Sequence, residues 1–145
     1  MAYRTCCDIA KFRQTAPMTN AISASAKTMT FIVTRDRAKA KAFYTEVLGF
    51  KFVSEDNFAA VFDLNGTMLR MSTLKDFQPQ QHTVLGWEVP DIVAAVTALT
   101  AKGVKFNIYE GFGQDKLGIW NSPAGDAKVA WFLDPDGNNL SLTQF

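Results

Sequence analysis

The chain has 145 residues, a length that fits one domain able to bury roughly 70% of its unfolded surface. A hydrophobic fraction of 48% and a charged fraction of 20% exclude wholesale disorder and collagen-like or coiled-coil chains. A net charge of +1 offers no global field to nucleic acid or an anionic membrane, so neither is an expected partner.

Residues 1–27 are basic, with Arg4, Lys11, Arg13 and Lys27 against Asp8. They show no helical or strand period and are predicted to be an N-terminal extension outside the core. They lack the apolar run of a secretory signal, which leaves an organellar leader or an upstream extension before a start at Met18 as alternatives. Cys6 and Cys7 are the only cysteines, so the body has no disulfide framework and no thiolate metal site. A reducing, cytoplasmic setting is expected. No apolar run reaches the length of a membrane span.

Thr28–Thr34 is rich in β-branched residues and predicts a strand. Ala40, Phe43, Tyr44, Val47 and Leu48 then fall on one helical face. Asp36 suits the cap of that helix and Gly49 its left-handed end. Short strands follow at Phe50–Ser54, Phe58–Leu64 and Thr67–Thr73. Asn65-Gly66 predicts a type I′ hairpin turn, since both central residues of that turn need φ > 0. The pattern then restarts. His82–Val89 predicts a strand, and Pro90 is expected to open a helix with Ile92, Ala95, Val96 and Leu99 inward and Gly103 at its end. Val104–Ile108 predicts a strand, 109–126 a glycine-rich loop, and Ala127–Leu133 with Asn138–Gln144 a closing hairpin. Gly49-Phe50-Lys51-Phe52 recurs as Gly103-Val104-Lys105-Phe106 in the same place of the pattern. The chain therefore reads as an α+β fold of two βαβββ modules, 28–74 and 82–145, in a single domain.

Phe43-Tyr44-Thr45-Glu46-Val47-Leu48-Gly49-Phe50 resembles the first-helix signature of the vicinal oxygen chelate superfamily. That superfamily holds glyoxalase I, extradiol dioxygenases, fosfomycin-resistance enzymes and bleomycin-resistance proteins. Trp131-Phe132-Leu133-Asp134-Pro135-Asp136-Gly137-Asn138 is similar to its closing hairpin. The resemblance covers about 28–145. It implies a curled mixed sheet around a cleft, and a homodimer. It also implies four metal-ligand positions, which fall here on Met29, Arg70, Val84 and Ser141. Met29 is soft, Val84 inert, Arg70 cationic, and only Ser141 is a weak oxygen donor. A two-residue register shift would bring His82 to the third position, yet one histidine cannot make a two-His site. No metal cofactor is expected.

Strand parity predicts the cleft lining: Met29, Phe31 and Arg70 from the first module, and His82, Val84, Glu88, Ser141 and Thr143 from the second, with Trp120 a further candidate. Trp87 and Trp131 are expected in the core. Arg70 is expected to need a partner, and Glu88 is the candidate. Such a cleft suits a small organic molecule with one or two polar groups. The leading expectation is metal-free binding of that kind. The alternatives are a lyase, isomerase or transferase on a small carbonyl or epoxide, with Glu88 and His82 as acid and base and Arg70 steadying an oxyanion, or a dimeric accessory protein with a vestigial cleft. Asp134-x-Asp136-x-Asn138 reads as a turn, because its glycine and twelfth position do not fit a calcium loop.

Overall fold

The computed structural model describes residues 21–145, so the expectations for 1–20, including both cysteines, lie outside the described residues. The elements are β1 (Met29–Thr34), α1 (Arg37–Ala42), β2 (Lys51–Glu55), β3 (Ala59–Leu64) and β4 (Thr67–Thr73). They continue with β5 (Thr83–Glu88), α2 (Ile92–Ala101), β6 (Ile119–Asn121), β7 (Lys128–Leu133) and β8 (Asn139–Gln144). Two four-stranded mixed sheets result, ordered β1-β4-β3-β2 and β5-β8-β7-β6. In each, the first strand lies parallel to the last. The repeat read from the sequence is thus a repeat of topology. Among the described residues no helix is long and apolar enough to cross a membrane.

Asp36 and Asp91 start the two helices in the same way, each side chain accepting from the backbone N–H three residues on. Pro90 therefore precedes the cap instead of opening α2, because the carboxylate of Asp91 satisfies a free N–H that proline at the first helical position could not. α1 widens after Ala42 into a π turn over Phe43–Val47, where Leu48 N–H reaches Phe43 O at 3.1 Å. Thr45 turns its hydroxyl onto Lys41 O at 2.8 Å, a local bond that competes with the regular ladder. The Asn65-Gly66 turn has φ of 52° and 90°, the two positive values its type requires.

Both sheets contribute one face to a single core. Tyr44, Phe62, Leu69 and Met71 from the first module join Ile92, Val96, Phe132 and Leu140 from the second, all fully buried. Each such side chain contributes about 1.5–3 kcal/mol by leaving water. Phe50 packs on Trp87 across the modules with ring centroids 5.2 Å apart. The closing turn adds a polar lock. Asp134 accepts from Tyr44 Oη at 2.9 Å and Asn138 Nδ2 at 2.7 Å. Asp136 accepts from the Thr34 hydroxyl and from Arg35 N–H at 2.9 Å, while Asn138 Nδ2 also donates to Val33 O at 2.9 Å. Burial pushes the Asp134 carboxyl above its ordinary range. It also pushes the Tyr44 phenol up, helped by the adjacent Asp134 charge, so Tyr44 stays neutral and donates.

The expected strand at Val104–Ile108 is reduced to one bridge, Phe106 to Phe132. The edge of β7 is instead shared: β6 covers Lys128–Ala130, Phe106 covers Phe132, and residues 107–118 leave the sheet between them. β6 thus lies inside the stretch expected to be wholly loop. The two four-residue segments, alike at three positions, land on equivalent places even so. Phe52 opposes Phe62 in the first sheet as Phe106 opposes Phe132 in the second.

Candidate functional site

Each sheet also has a face turned away from the shared core. In the first module Met29, Phe31 and Val33 of β1 lie beside Met68, Arg70 and Ser72 of β4. Phe31 is 58% exposed and Met29 47%, so the apolar half of this face is open. Next to it a cavity of about 580 Å³ is lined by Met29, Val53, Val61 and Met68, with Lys51 and Asp63 at its polar side. In the second module the outward face carries Thr83, Gly86 and Glu88 of β5, Asn139, Ser141 and Thr143 of β8, and Val129 and Trp131 of β7. A cavity of about 700 Å³ opens here, lined by His82, Thr83, Asn107, Tyr109, Phe112, Trp131, Leu133 and Asn139. The single mixed cleft expected from strand parity is instead divided, its residues lying on two open faces, one per module.

The candidates distribute unevenly over these faces. Met29 lines the first cavity and His82 the second. Phe31 lies on the first face, opposite Arg70 in register. Arg70 is half-buried. Among the described residues no ion pair joins it to Glu88, which is exposed on the other sheet. The expected bridge fails because the two modules pack through their inner faces and leave these two residues on outward faces of different sheets. Arg70 instead lends its charge to Asp56. The carboxyl of Asp56 is held low first by the N–H groups of Ala59 and Phe58. Ser141 is buried, with its hydroxyl resting where a side chain on Gly86 would stand, 2.6 Å from that point. Glycine is what allows this close approach. Thr143 is half-buried between Glu88 and Val129 in register, and Trp120 stands 6.3 Å from Trp131.

Two parity expectations are corrected. β5 is irregular between Thr83 and Leu85, where one extra residue interrupts its pairing with β8. Thr83 pairs with Asn139 and joins the outward face, while Val84 packs against the core instead of lining a cleft. Trp87 is packed against the core as expected, but Trp131 is not. It pairs with Ser141, so it faces outward, and Ala130 and Phe132 take the inner positions. Tyr109, Phe112, Asn107 and Asn139 were not among the predicted site residues. The available signal was the spacing of Tyr109 and Phe112 among Gly111, Gly113 and Gly118, which lets aromatic side chains sit on a tightly turning loop.

The donor set does not fit the superfamily's metal. Met29 and Arg70 sit on one sheet, Ser141 on the other, and Val84 is turned to the core. Among the described residues no three His, Cys, Asp or Glu side chains gather where they could share an ion.

Comparison with known proteins agrees with this architecture. Solved structures of similar fold include an integron cassette protein, HFX_CASS4, from the mobile metagenome of the Halifax Harbour sewage outfall. It is 24% identical, with 83% of this chain and 99% of that one covered and a TM-score of 0.66. TnmS3, an antibiotic-binding protein from Streptomyces sp. CB03234, is 26% identical over 86% of this chain and 97% of that one, with a TM-score of 0.65. A lactoylglutathione lyase from Agrobacterium tumefaciens is 17% identical over 84% and 95%, also at 0.65. No curated protein matches by sequence. The glyoxalase/bleomycin resistance protein/dioxygenase superfamily model matches residues 26–142, and with its paired modules in place the chain belongs to that superfamily.

Proposed function

We propose that this protein binds a small organic molecule without a metal, in the cavity of its second module, and works as a homodimer in a reducing cytoplasm. The observation that carries the reading is the cavity of about 700 Å³ framed by Tyr109, Phe112, Trp131 and Leu133 with a few polar groups. Apolar walls with sparse polar atoms suit recognition of a small organic solute. The likeness to an antibiotic-binding protein points the same way. The exposed apolar residues Met29, Phe31 and Met68 on one face, and Leu133 and Phe112 on the other, support a second copy covering both. The enzymatic alternative is less well supported. His82 lies just before β5 and Glu88 at its end, six positions apart, about 20 Å at ~3.3 Å per residue of extended chain. Within one chain they do not face one reacting atom, and Arg70 is on the other sheet. A vestigial cleft would be filled, whereas this one is open.

Native mass spectrometry of the protein purified from cells tests the reading. The expected spectrum shows a dimer, no bound metal ion, and a retained or readily reloaded organic molecule. One tightly held metal per chain, lost on His82→Ala, would overturn it.

A further inference from the structure

The cavity on the second module also restricts what kind of molecule it takes. Its aromatic wall is built by an excursion from the sheet edge. Residues 107–118 leave between Phe106 and β6, turn through Gly111, Gly113 and Gly118 at φ of 81°, 70° and 80°, and return. Gln114 fastens the neck of this loop. Its Oε1 accepts from Tyr109 N–H at 2.6 Å, and its Nε2 donates to Asn107 O at 2.9 Å and Gly118 O at 2.6 Å. With the neck closed, the rings of Tyr109 and Phe112 stand 5.9 and 6.2 Å from Trp131, both steeply inclined to it.

Two further features narrow the chemistry. No lysine, arginine or carboxylate lines this cavity, and His82 is the one lining side chain able to carry a positive charge, so the site has no permanent charge to pair with an ionised ligand. Asn139 is 5% exposed and donates Nδ2 to Gln81 O at 2.6 Å, yet its buried Oδ1 has no donor among the described residues. Left unpaired, such an acceptor is unfavourable, and a hydroxyl or N–H of a molecule held in this cavity, which Asn139 lines, would satisfy it once the amide turns toward it. Resting on the small-molecule reading above, we propose that the cavity takes an uncharged, planar aromatic molecule bearing a hydroxyl or N–H. Its rings lie against Trp131 and its donor on Asn139, and Gln114 is the residue that positions the wall. Stacking of flat rings on aromatic side chains favours such a ligand over a saturated one of equal size.

Three probes of one skeleton test this by calorimetry and tryptophan fluorescence: 2-naphthol, naphthalene and decahydro-2-naphthol. The expected order has 2-naphthol at least tenfold tighter than its saturated counterpart and about fivefold tighter than naphthalene. Trp131→Leu and Gln114→Ala should each weaken 2-naphthol at least fivefold. Gln114→Ala, in a loop outside the core, should leave the melting temperature in place and so separates binding from folding. Equal binding of 2-naphthol and decahydro-2-naphthol would overturn the planar class while leaving small-molecule binding intact. Loss of 2-naphthol on Met68→Ala, with Trp131→Leu and Gln114→Ala unaffected, would move the site to the other module. Failure of all three probes to bind up to the limit of their aqueous solubility would overturn the inference. A retained organic molecule in the native mass spectrum would still uphold the broader reading.

Discussion

In the first module the edge of β3 is covered by β2, five residues that run continuously apart from one irregularity at Val53. In the second module the matching edge of β7 is covered in two pieces, Phe106 and β6, with residues 107–118 looped out between them. The inner faces of the two modules are alike, since Phe52 meets Phe62 as Phe106 meets Phe132, at 5.9 and 5.3 Å between rings. The outward faces differ: among the described residues the second has a framed aromatic cavity, and the cavity beside the first is lined mainly by Met29, Val53, Val61 and Met68. A repeated module can thus keep its core and diverge at one sheet edge. An edge strand is paired on one side only, so interrupting it costs fewer hydrogen bonds than interrupting a central strand.

The strongest test of that likeness is to hollow each core in turn. Phe62→Ala and Phe132→Ala should each lose about 3–5 kcal/mol and shift one shared unfolding transition, because both residues belong to one cluster. Two separate transitions in denaturant would show that the modules are independent and break the comparison.

A somewhat smaller loss is expected on cutting the polar lock. Asp134→Ala strips the acceptor from Tyr44, Asn138 and the N–H of Asp136, leaving buried donors unpaired at about 1–3 kcal/mol each, partly recovered by relaxation. The pH dependence sharpens this. Burial raises the Asp134 carboxyl, so its folded form favours the proton more than the unfolded form does. Its contribution to stability is therefore largest below the ordinary carboxylate value of about 4 and declines as pH rises above it. Asp134→Asn, which does not titrate, should gain on the native protein over that rise, as followed by urea unfolding at stepped pH.

Two of the left-handed glycines, Gly49 ahead of β2 and Gly118 ahead of β6, should part company. Gly49→Ala meets no atom within 4 Å and bears only its φ of 76°, a cost of about 1–2 kcal/mol. Gly118→Ala carries the same strain and also brings its methyl to 3.2 Å from Phe106 Cβ, so it should cost more and weaken 2-naphthol. Equal costs and unchanged binding would show that the looped edge tolerates displacement. The smallest effects belong to the caps. Asp36→Ala and Asp91→Ala should each cost about 1 kcal/mol by thermal melt, and a clear inequality would show that the π turn of the first module changes what its cap supports.

Local chemistry made much of this molecule legible in advance. The caps at Asp36, the turn at Asn65-Gly66 and the inward row Ala40, Phe43, Tyr44 and Val47 follow from hydrogen bonding and helical period within a few residues. The three letters shared by 49–52 and 103–106 then announced two modules. The candidate site was less legible because its residues depend on parity, and parity is lost at a single extra residue. At Val84 one such residue moved Thr83 outward and Val84 inward. Trp131 was assigned to the core by parity, although its register opposite Ser141 turns it to the cavity.

From the linear order alone came the α+β class and the repeat, because side-chain period and turn chemistry act over short spans, while the superfamily came from the resemblance of two short motifs, Phe43–Phe50 and Trp131–Asn138. How the modules meet, and therefore that Arg70 and Glu88 stand on separate outward faces, was settled by packing between residues far apart in the chain. The Tyr44–Asp134 bond and the Phe50–Trp87 contact have no trace in either segment read by itself. The same holds for the aromatic wall, whose form depends on where the edge of β7 stops being covered and on Gln114 closing the loop that begins there.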